Sequence, residues 1–396
     1  MATLCNDDKQ LLKSYLRQFE NHGIKLHENK RSQLLKLAGQ ISLNQDKYCR
    51  NIRDCSTNVL FTRQELDGLP DTYFKSKKTR VKGFTKKYVV ETNYLDFKPV
   101  IKLAKREETR RKMYIAYHSR YTDNVRLVQE TLVLRARVAN ICGYNTFAEF
   151  ALEHQMAKNP ANVQHFLDNL ETKIGLLASE NRKKLVQLKK KDMKNLGKEY
   201  VDFYTWDEAY YSHMLTKEMF DLNTEHVKEY FPLKHVIQTA ISIFENLLGL
   251  QTKRAGSPNV WHPDVELYEV WDPIENLLVG HLYLDLYSRK NKCTGGTTFY
   301  LRPGFVQIDK LRECPVSAIV VDFPKPSNTS QALLSLTQVK TIFHELGHAF
   351  HNICTKTKWG GLCSSNVEHD FVEMPSQLME NWCLQPSQST TLQTEI

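Results

Sequence analysis

The residues of this sequence best suited to chemistry are His344, Glu345 and His348, which form an HExxH motif. Apolar residues recur around them at helical spacing, which predicts a helix over residues 337–354. In a helix, positions i and i+4 lie one turn apart on the same face, so the two imidazoles can bind one metal ion. Glu345, beside the first histidine, is then placed to hold a water at that metal. The motif therefore predicts a zinc hydrolase in which Glu345 activates the water.

An HExxH motif alone is a modest signal, because a helix whose histidines form hydrogen bonds inside the core can also carry it. Against that alternative, two unpaired histidines and a glutamate would be costly to bury on an otherwise apolar helix. A catalytic zinc also needs a third protein ligand. Glu373, in a second helix predicted to begin at Asp370, can supply it if the chain turns back between the two helices. Glu368 and Glu380 compete for this role, and Glu373 is preferred because a metal would explain its burial among apolar neighbours.

Two further residues near the motif have weaker claims. Asp370 could bond the far ring nitrogen of a ligating histidine or could cap its own helix, and the two roles are equally plausible from sequence. His351, one turn beyond His348, is more often a packed or hydrogen-bonded residue than a direct participant. In the predicted mechanism Glu345 passes the water's proton to the leaving amine, and the oxyanion needs a Tyr or His donor besides the metal. The last tyrosine of the chain is Tyr300.

Helices and a small sheet must position these residues. Residues 1–250 are predicted to be mostly helical, with long amphipathic patterns at 101–118, 125–142, 161–195 and 233–248. Beyond residue 255 two short alternating runs, at 265–270 and 281–287, and two further runs, at 297–301 and 316–323, predict four strands before the motif helix. The stretch 385–396 is polar and aperiodic and is expected to be a frayed tail. The predicted fold class is mainly α, with a small β-sheet next to the HExxH helix.

Composition narrows the function classes. The chain has 396 residues, of which 41% are hydrophobic and 25% charged, an ordinary balance for a globular protein. Its net charge of +9 lies largely in two lysine-rich clusters that lack the interleaved aromatics of a nucleic-acid module, so solvated faces are expected there. No apolar run is long enough for a membrane span, and the N-terminus carries no secretory signal. Nine scattered cysteines without a CxxC pair argue against a disulfide framework. Neither nucleic acid nor membrane is expected as a partner.

Two stretches around the motif, HELGHAFH and DFVEMPSQLMENW, resemble the thimet oligopeptidase and neurolysin family of zinc oligopeptidases. The likeness extends to FTRQELDGLP, TWDEAYY, VWHPDVELYEV, GHLYLDLYSR and VDFPKPS, and it spans roughly residues 30–383. It implies that His344, His348 and Glu373 bind one zinc ion and that Glu345 is the catalytic base. It also implies a zincin-like fold in which a channel between two helical walls admits short peptides, and cleavage within those peptides.

The chain departs from this family in length. Relatives extend further at both ends, and the loop whose tyrosine and histidine residues stabilise the oxyanion has no counterpart after Glu380. The expected organisation is a partial N-terminal helical region at 1–105, a catalytic region at 106–384 that lacks its C-terminal part, and the tail. The alternative function is a truncated, catalytically impaired form that still binds zinc or peptides. The expected compartment is the cytoplasm, with mitochondria as the alternative because the family includes mitochondrial forms.

Overall fold

Helices make up most of the chain, and a computed structural model describes residues 4–75, 77–82, 85–220, 224–292, 295–307, 311–326, 331–385 and 392. The longer helices are α1 (Asn6–Asn21), α2 (Glu28–Asp54), α4 (Tyr94–Leu103), α5 (Glu107–His118), α6 (Asp123–Ile141), α8 (Pro160–Asn195), α9 (Glu208–Phe220), α11 (Leu233–Leu248) and α12 (Leu336–Ile353). The shorter ones are α3 (Asp71–Lys75), α7 (Phe147–Leu152), α10 (Thr224–Glu229) and α13 (Met374–Glu380).

In the part of the chain that the structure describes, the strands form three sheets. They are β1 (Asn58–Phe61), β2 (Thr79–Lys82), β3 (Thr85–Glu91), β4 (Gln251–Arg254), β5 (Glu266–Asp272), β6 (Leu277–Tyr287), β7 (Thr297–Arg302), β8 (Phe305–Val306), β9 (Arg312–Glu313) and β10 (Val316–Phe323). A five-stranded sheet has the order β4-β5-β6-β10-β7, with β6 and β10 parallel and the other pairs antiparallel. A three-stranded antiparallel sheet has the order β1-β3-β2, and β8 pairs with β9.

Contacts divide the chain into two units that are not continuous in sequence. The first, which we call the helical unit, consists of residues 22–153 and 159–222 and holds α2 to α9 with the three-stranded sheet. Its main cluster of buried apolar side chains lies between that sheet and the helices α4 and α5, around Phe61, Val90 and Met113.

The second, which we call the sheet unit, consists of residues 1–21, 154–158 and 223–396 and holds α1, α10 to α13 and the five-stranded sheet. Its core forms where α11 and α12 cover one face of that sheet. Leu282, Leu284, Ile319 and Val321 point inward from β6 and β10. Phe244 of α11 stacks on Phe350 of α12, with the ring centroids 4.9 Å apart.

Most of the predicted elements are present. The mainly helical fold with a small sheet beside the motif helix is confirmed, and α11 and β10 have the predicted bounds. The prediction of a helix from Asp370 is wrong, because residues 370–373 form turns and α13 begins at Met374. Pro375 explains this difference: proline fits the first turn of a helix but would break an interior turn.

Four smaller findings complete the description. The three-stranded sheet lies in the region predicted to be mostly helical. Its strands β2 and β3 are lysine-rich and bury little, so the sequence did not predict them. No disulfide joins any of the eight cysteines in the part of the chain that the structure describes. Of the predicted tail at 385–396, only Gln385 and Leu392 lie within the described residues. Among the described helices, none has the length and apolar character that crossing a bilayer requires.

Candidate metal centre

The helix that carries the motif is fixed at its start and along one face. A capping box begins α12: the Ser335 hydroxyl accepts a hydrogen bond from the backbone N–H of Gln338, and the Gln338 side chain bonds back to Ser335. Eleven of the 18 residues of α12 are buried. Glu345 and His348 are among them, with 5% and 9% of their surfaces exposed, so this face of the helix cannot rotate toward solvent without breaking the core.

His344, His348 and Glu373 come together at one point. The Nε2 atoms of His344 and His348 lie 3.3 and 3.1 Å from the same oxygen of Glu373, Oε2. Ligand atoms around a tetrahedral zinc, with bonds of about 2.0–2.1 Å, lie roughly 3.3 Å from one another. The two distances to Glu373 therefore match this spacing, and the three ligand atoms all lie within 4.8 Å of one another. Two imidazole nitrogens with one carboxylate oxygen are a donor set that zinc prefers.

A close approach between two helices brings Glu373 to the histidines. A Cβ atom at Gly347 would lie 2.7 Å from Cα of Ser376, so only glycine lets α13 pack this near to the motif. Ser376 then donates its hydroxyl to the backbone oxygen and to Oε2 of Glu373, at 2.9 Å each. The predicted burial of Glu373 is wrong: 51% of its side chain is exposed, because it lies on the turn before α13 rather than inside a helix.

Glu380 and Glu368, the alternatives to Glu373, lie elsewhere. An oxygen of Glu380 is 2.8 Å from Nδ1 of His344, on the far side of the ring from Glu373, and its other oxygen is 2.6 Å from Nζ of Lys340. Burial opposes ionisation of Glu380, but Lys340 and His344 outweigh it and hold the pKa of this carboxyl below its ordinary value. A carboxylate in this position orients the imidazole and raises its basicity. Glu368 is exposed.

Glu345 is held from the neighbouring edge strand. The Thr298 hydroxyl of β7 donates to Oε2 of Glu345 at 2.8 Å and also approaches its backbone oxygen at 2.9 Å. Beside the strand, a Cβ atom at Gly296 would lie 3.0 Å from the other carboxylate oxygen, Oε1, and 2.7 Å from a methyl group of Thr341. Glycine at 296 thus leaves space beside Oε1, while Thr298 fixes the orientation of the carboxylate.

The structure gives Asp370 and His351 other surroundings than the three converging residues. The Asp370 carboxylate accepts the backbone N–H groups of Met156 and Ala157, at 3.0 and 2.9 Å, so its hydrogen bonds anchor the turn before α13. His351 is packed near Phe371, and its Nδ1 atom is buried with no hydrogen-bond partner among the described residues. Burial lowers the pKa of His351, and the neighbouring His348 lowers it further.

Sequence reasoning missed Thr298, Lys340, Gly347 and Ser376, which hold the site together. Gly347 carried a signal, since a glycine inside a strongly apolar helix often marks a close approach. A second signal lay in β7. Side chains of a strand alternate between its two faces, but which face of β7 meets α12 depends on tertiary packing, so the position of Thr298 could not be predicted. Lys340 gave no signal, because an exposed lysine on a helix is ordinary.

Comparisons with known proteins identify relatives of this chain. The sequence model of Peptidase family M3 matches residues 100–395. The chain is 32% identical to saccharolysin of Saccharomyces cerevisiae over 385 residues, which cover 94% of this chain and 54% of saccharolysin. It is 31% identical to a thimet-like oligopeptidase of Dictyostelium discoideum, over 96% of this chain and 58% of the relative. It is 30% identical to oligopeptidase A of Escherichia coli, over 97% and 58%. The chain thus spans little more than half the length of these relatives.

Proposed function

Because the chain belongs to peptidase family M3, we propose that it is a zinc-dependent endopeptidase that hydrolyses short peptides, with Glu345 as the general base. The observation that carries this proposal is the convergence of His344, His348 and Glu373 beside a buried, oriented Glu345. The lengths of saccharolysin and the other relatives exceed that of this chain, so their activity is transferred here as a hypothesis. The names of two relatives, the Dictyostelium and Escherichia coli proteins, identify them as oligopeptidases, which is why short peptides are the proposed substrates.

Each residue has a distinct task in this proposal. His344, His348 and Glu373 would hold the zinc ion, which lowers the pKa of water and polarises a peptide carbonyl when bound in such a site. Thr298 occupies Oε2 of Glu345 as a hydrogen-bond donor, so Oε1 remains free to accept a proton from the attacking water. Glu345 then gives that proton to the leaving amine. Glu380 keeps the ring of His344 in the orientation that points Nε2 at Glu373.

Compartment and cleavage position follow only from the relatives. They include an organellar enzyme of Arabidopsis thaliana as well as the bacterial and yeast proteins. A cytoplasmic location therefore stays a prediction, with mitochondria as its alternative. Internal cleavage, rather than removal of a terminal residue, also stays a prediction, based on the resemblance to the thimet oligopeptidase family.

Hydrolysis of an internally quenched nonapeptide by the purified chain tests the proposed function, with zinc content measured on the same sample. We expect turnover that falls by about 10²–10⁴ in Glu345→Gln while zinc content is retained. Glu275→Gln, an exposed glutamate between β5 and β6, is the matched control and should keep the wild-type rate. Equal rates in the wild type and Glu345→Gln would contradict the assignment. Stoichiometric zinc without turnover would overturn the peptidase proposal and leave a zinc-binding chain, the alternative predicted from sequence.

A further inference from the structure

Tyr300 lies on the edge strand beside the candidate metal centre, and the proposed mechanism does not use it. Residues of a strand two positions apart point to the same face of the sheet. Thr298 points toward α12, since its hydroxyl bonds Glu345. Tyr300 therefore points the same way, whereas Phe299 and Leu301 point away and are 45% and 53% exposed.

The cross-strand register supports this placement. Tyr300 is paired with Ser317 of β10, whose hydroxyl contacts the backbone oxygen of Ala349 and accepts a hydrogen bond from Asn352. Those two residues lie on α12 about one and two turns beyond Glu345. Tyr300 is thus displaced from Thr298 along the helix in the direction of His348, on the face where the candidate ligands converge.

Tyr300 has a raised pKa beside the candidate metal centre. The residue is half-buried. Burial, with the negative charges of Glu373 and Glu345 nearby, raises the pKa of Tyr300 to about 12. The phenol is therefore protonated near neutral pH and can donate a hydrogen bond at the site.

Distance along the strand indicates what such a donor could reach. Two residues of a strand span about 6.6–6.8 Å, and one residue of an extended peptide spans at most about 3.3–3.6 Å. A peptide lying beside β7 with one carbonyl at Glu345 would therefore place another carbonyl, one or two residues away, near Tyr300. A peptide carbonyl oxygen accepts hydrogen bonds and has no donor of its own, so it complements the phenol.

We propose that Tyr300 is a substrate-binding residue, whose hydroxyl donates a hydrogen bond to a backbone carbonyl of a peptide bound at the candidate metal centre. This inference rests on the proposed function for the peptide itself. It adds a contact from the edge strand that recognises backbone rather than side chain, and it therefore predicts tighter peptide binding without preference for one residue type.

Binding of a fluorescein-labelled nonapeptide with blocked ends tests the inference, measured by fluorescence anisotropy on zinc-loaded Glu345→Gln protein, in which hydrolysis is suppressed. Adding Tyr300→Phe should raise the Kd about 3- to 10-fold, the usual effect of one lost hydrogen bond. Adding Tyr283→Phe is the matched control, because Tyr283 lies on the opposite face of the same sheet and bonds the backbone oxygen of Asn259. That control should leave the Kd unchanged.

Two further measurements separate a binding role from a structural one. Tyr300→Phe keeps the aromatic ring and removes only the hydroxyl, so it should keep the wild-type Tm and zinc affinity. A fall in either, an unchanged Kd in Tyr300→Phe, or no peptide binding by the Glu345→Gln protein would overturn the inference. If the wild type hydrolyses peptide but Tyr300→Phe leaves the Kd for peptide unchanged, the inference alone would be overturned. A Kd effect in a chain that never hydrolyses peptide would keep the inference and overturn the proposed peptidase.

Discussion

Two groups of inward-facing polar side chains, one in each unit, have different roles: one is balanced in charge, and the other is a candidate metal site. In the helical unit, Asp207 is fully buried and accepts from Arg110 and from Lys189, both at 2.7 Å. Lys189 also lies 3.1 Å from Glu107. Two cations face two anions, so the charges balance within the group and it needs no further ligand.

The group in the sheet unit is not balanced in this way. His344 and His348 present ring nitrogens to one oxygen of Glu373, and no lysine or arginine of the described residues lies within ion-pair distance of that carboxylate. Lys340, one helical turn before His344, forms an ion pair with Glu380 instead. The difference separates a structural charge cluster from a candidate binding site. Cations matched to anions stabilise the fold, whereas two imidazole nitrogens and a carboxylate oxygen that meet without a lysine or arginine form a ligand set suited to a metal cation.

The largest expected effect comes from unbalancing the group of the helical unit. Asp207→Asn leaves Arg110 and Lys189, each 1% exposed, without the charge that they share. We expect the free energy of unfolding to fall by about 3–5 kcal/mol, as for other broken buried pairs. Urea denaturation measures it. A loss below about 1 kcal/mol would show that this group is not the stabilising one.

A smaller effect is expected from the carboxylate that orients His344. Glu380→Gln should weaken zinc affinity about 10- to 100-fold, because the far nitrogen of the imidazole loses its charged partner. Competition with a chromophoric chelator measures the Kd. The control is Glu368→Gln, because Glu368 is exposed and lies in the segment between α12 and α13. Equal affinities in the two variants would remove Glu380 from the site.

A third group, inside the sheet unit itself, sharpens the comparison through pH. Burial would raise the pKa of Asp285, but hydrogen bonds from Arg289, Lys292 and Trp261 outweigh it and hold that pKa well below its ordinary value. A carboxyl with a depressed folded-state pKa stabilises the fold above its unfolded value of about 3.9, and this contribution is lost as pH falls below it. Urea unfolding between pH 3 and 7 should therefore show a shallower acid loss in Asp285→Asn. An identical slope would contradict the pairing.

The smallest effect is expected at an exposed ion pair of the helical unit. Arg63 and Asp71 are 2.7 Å apart, but their side chains are 48% and 90% exposed. Arg63→Ala should change the free energy of unfolding by no more than about 1 kcal/mol, because water screens the pair. Measured beside Asp207→Asn in the same urea series, it shows how much burial contributes. A loss as large as that of Asp207→Asn would contradict the distinction.

How much of this could be predicted from sequence depends on the range of the signal. The motif helix, α11 and the four strands before the motif follow from local periodicity, and the structure has all of them. The sequence also singled out His344, His348 and Glu373, which the structure brings together. Its argument for Glu373 from burial was wrong, although the residue lies beside both histidines.

What sequence could not predict depends on contacts between distant segments. Thr298 reaches Glu345 only because β7 is the edge strand next to α12, and Glu380 meets His344 only because α13 packs at Gly347. The buried group of the helical unit gave no signal either, since Lys189 lies in a lysine-rich run that is typical of a solvated face. Burial of one lysine in such a run is decided by Asp207, which lies on a different element.

Zinc titration of the purified chain tests the central claim most directly, with the Kd and the stoichiometry determined for the wild type and for Glu373→Gln. The converging atoms of His344, His348 and Glu373 predict one zinc per chain and an affinity that falls by more than about 100-fold in the variant, since a direct ligand should matter more than an orienting neighbour. No stoichiometric zinc in the wild type, or the same Kd in both proteins, would contradict the account.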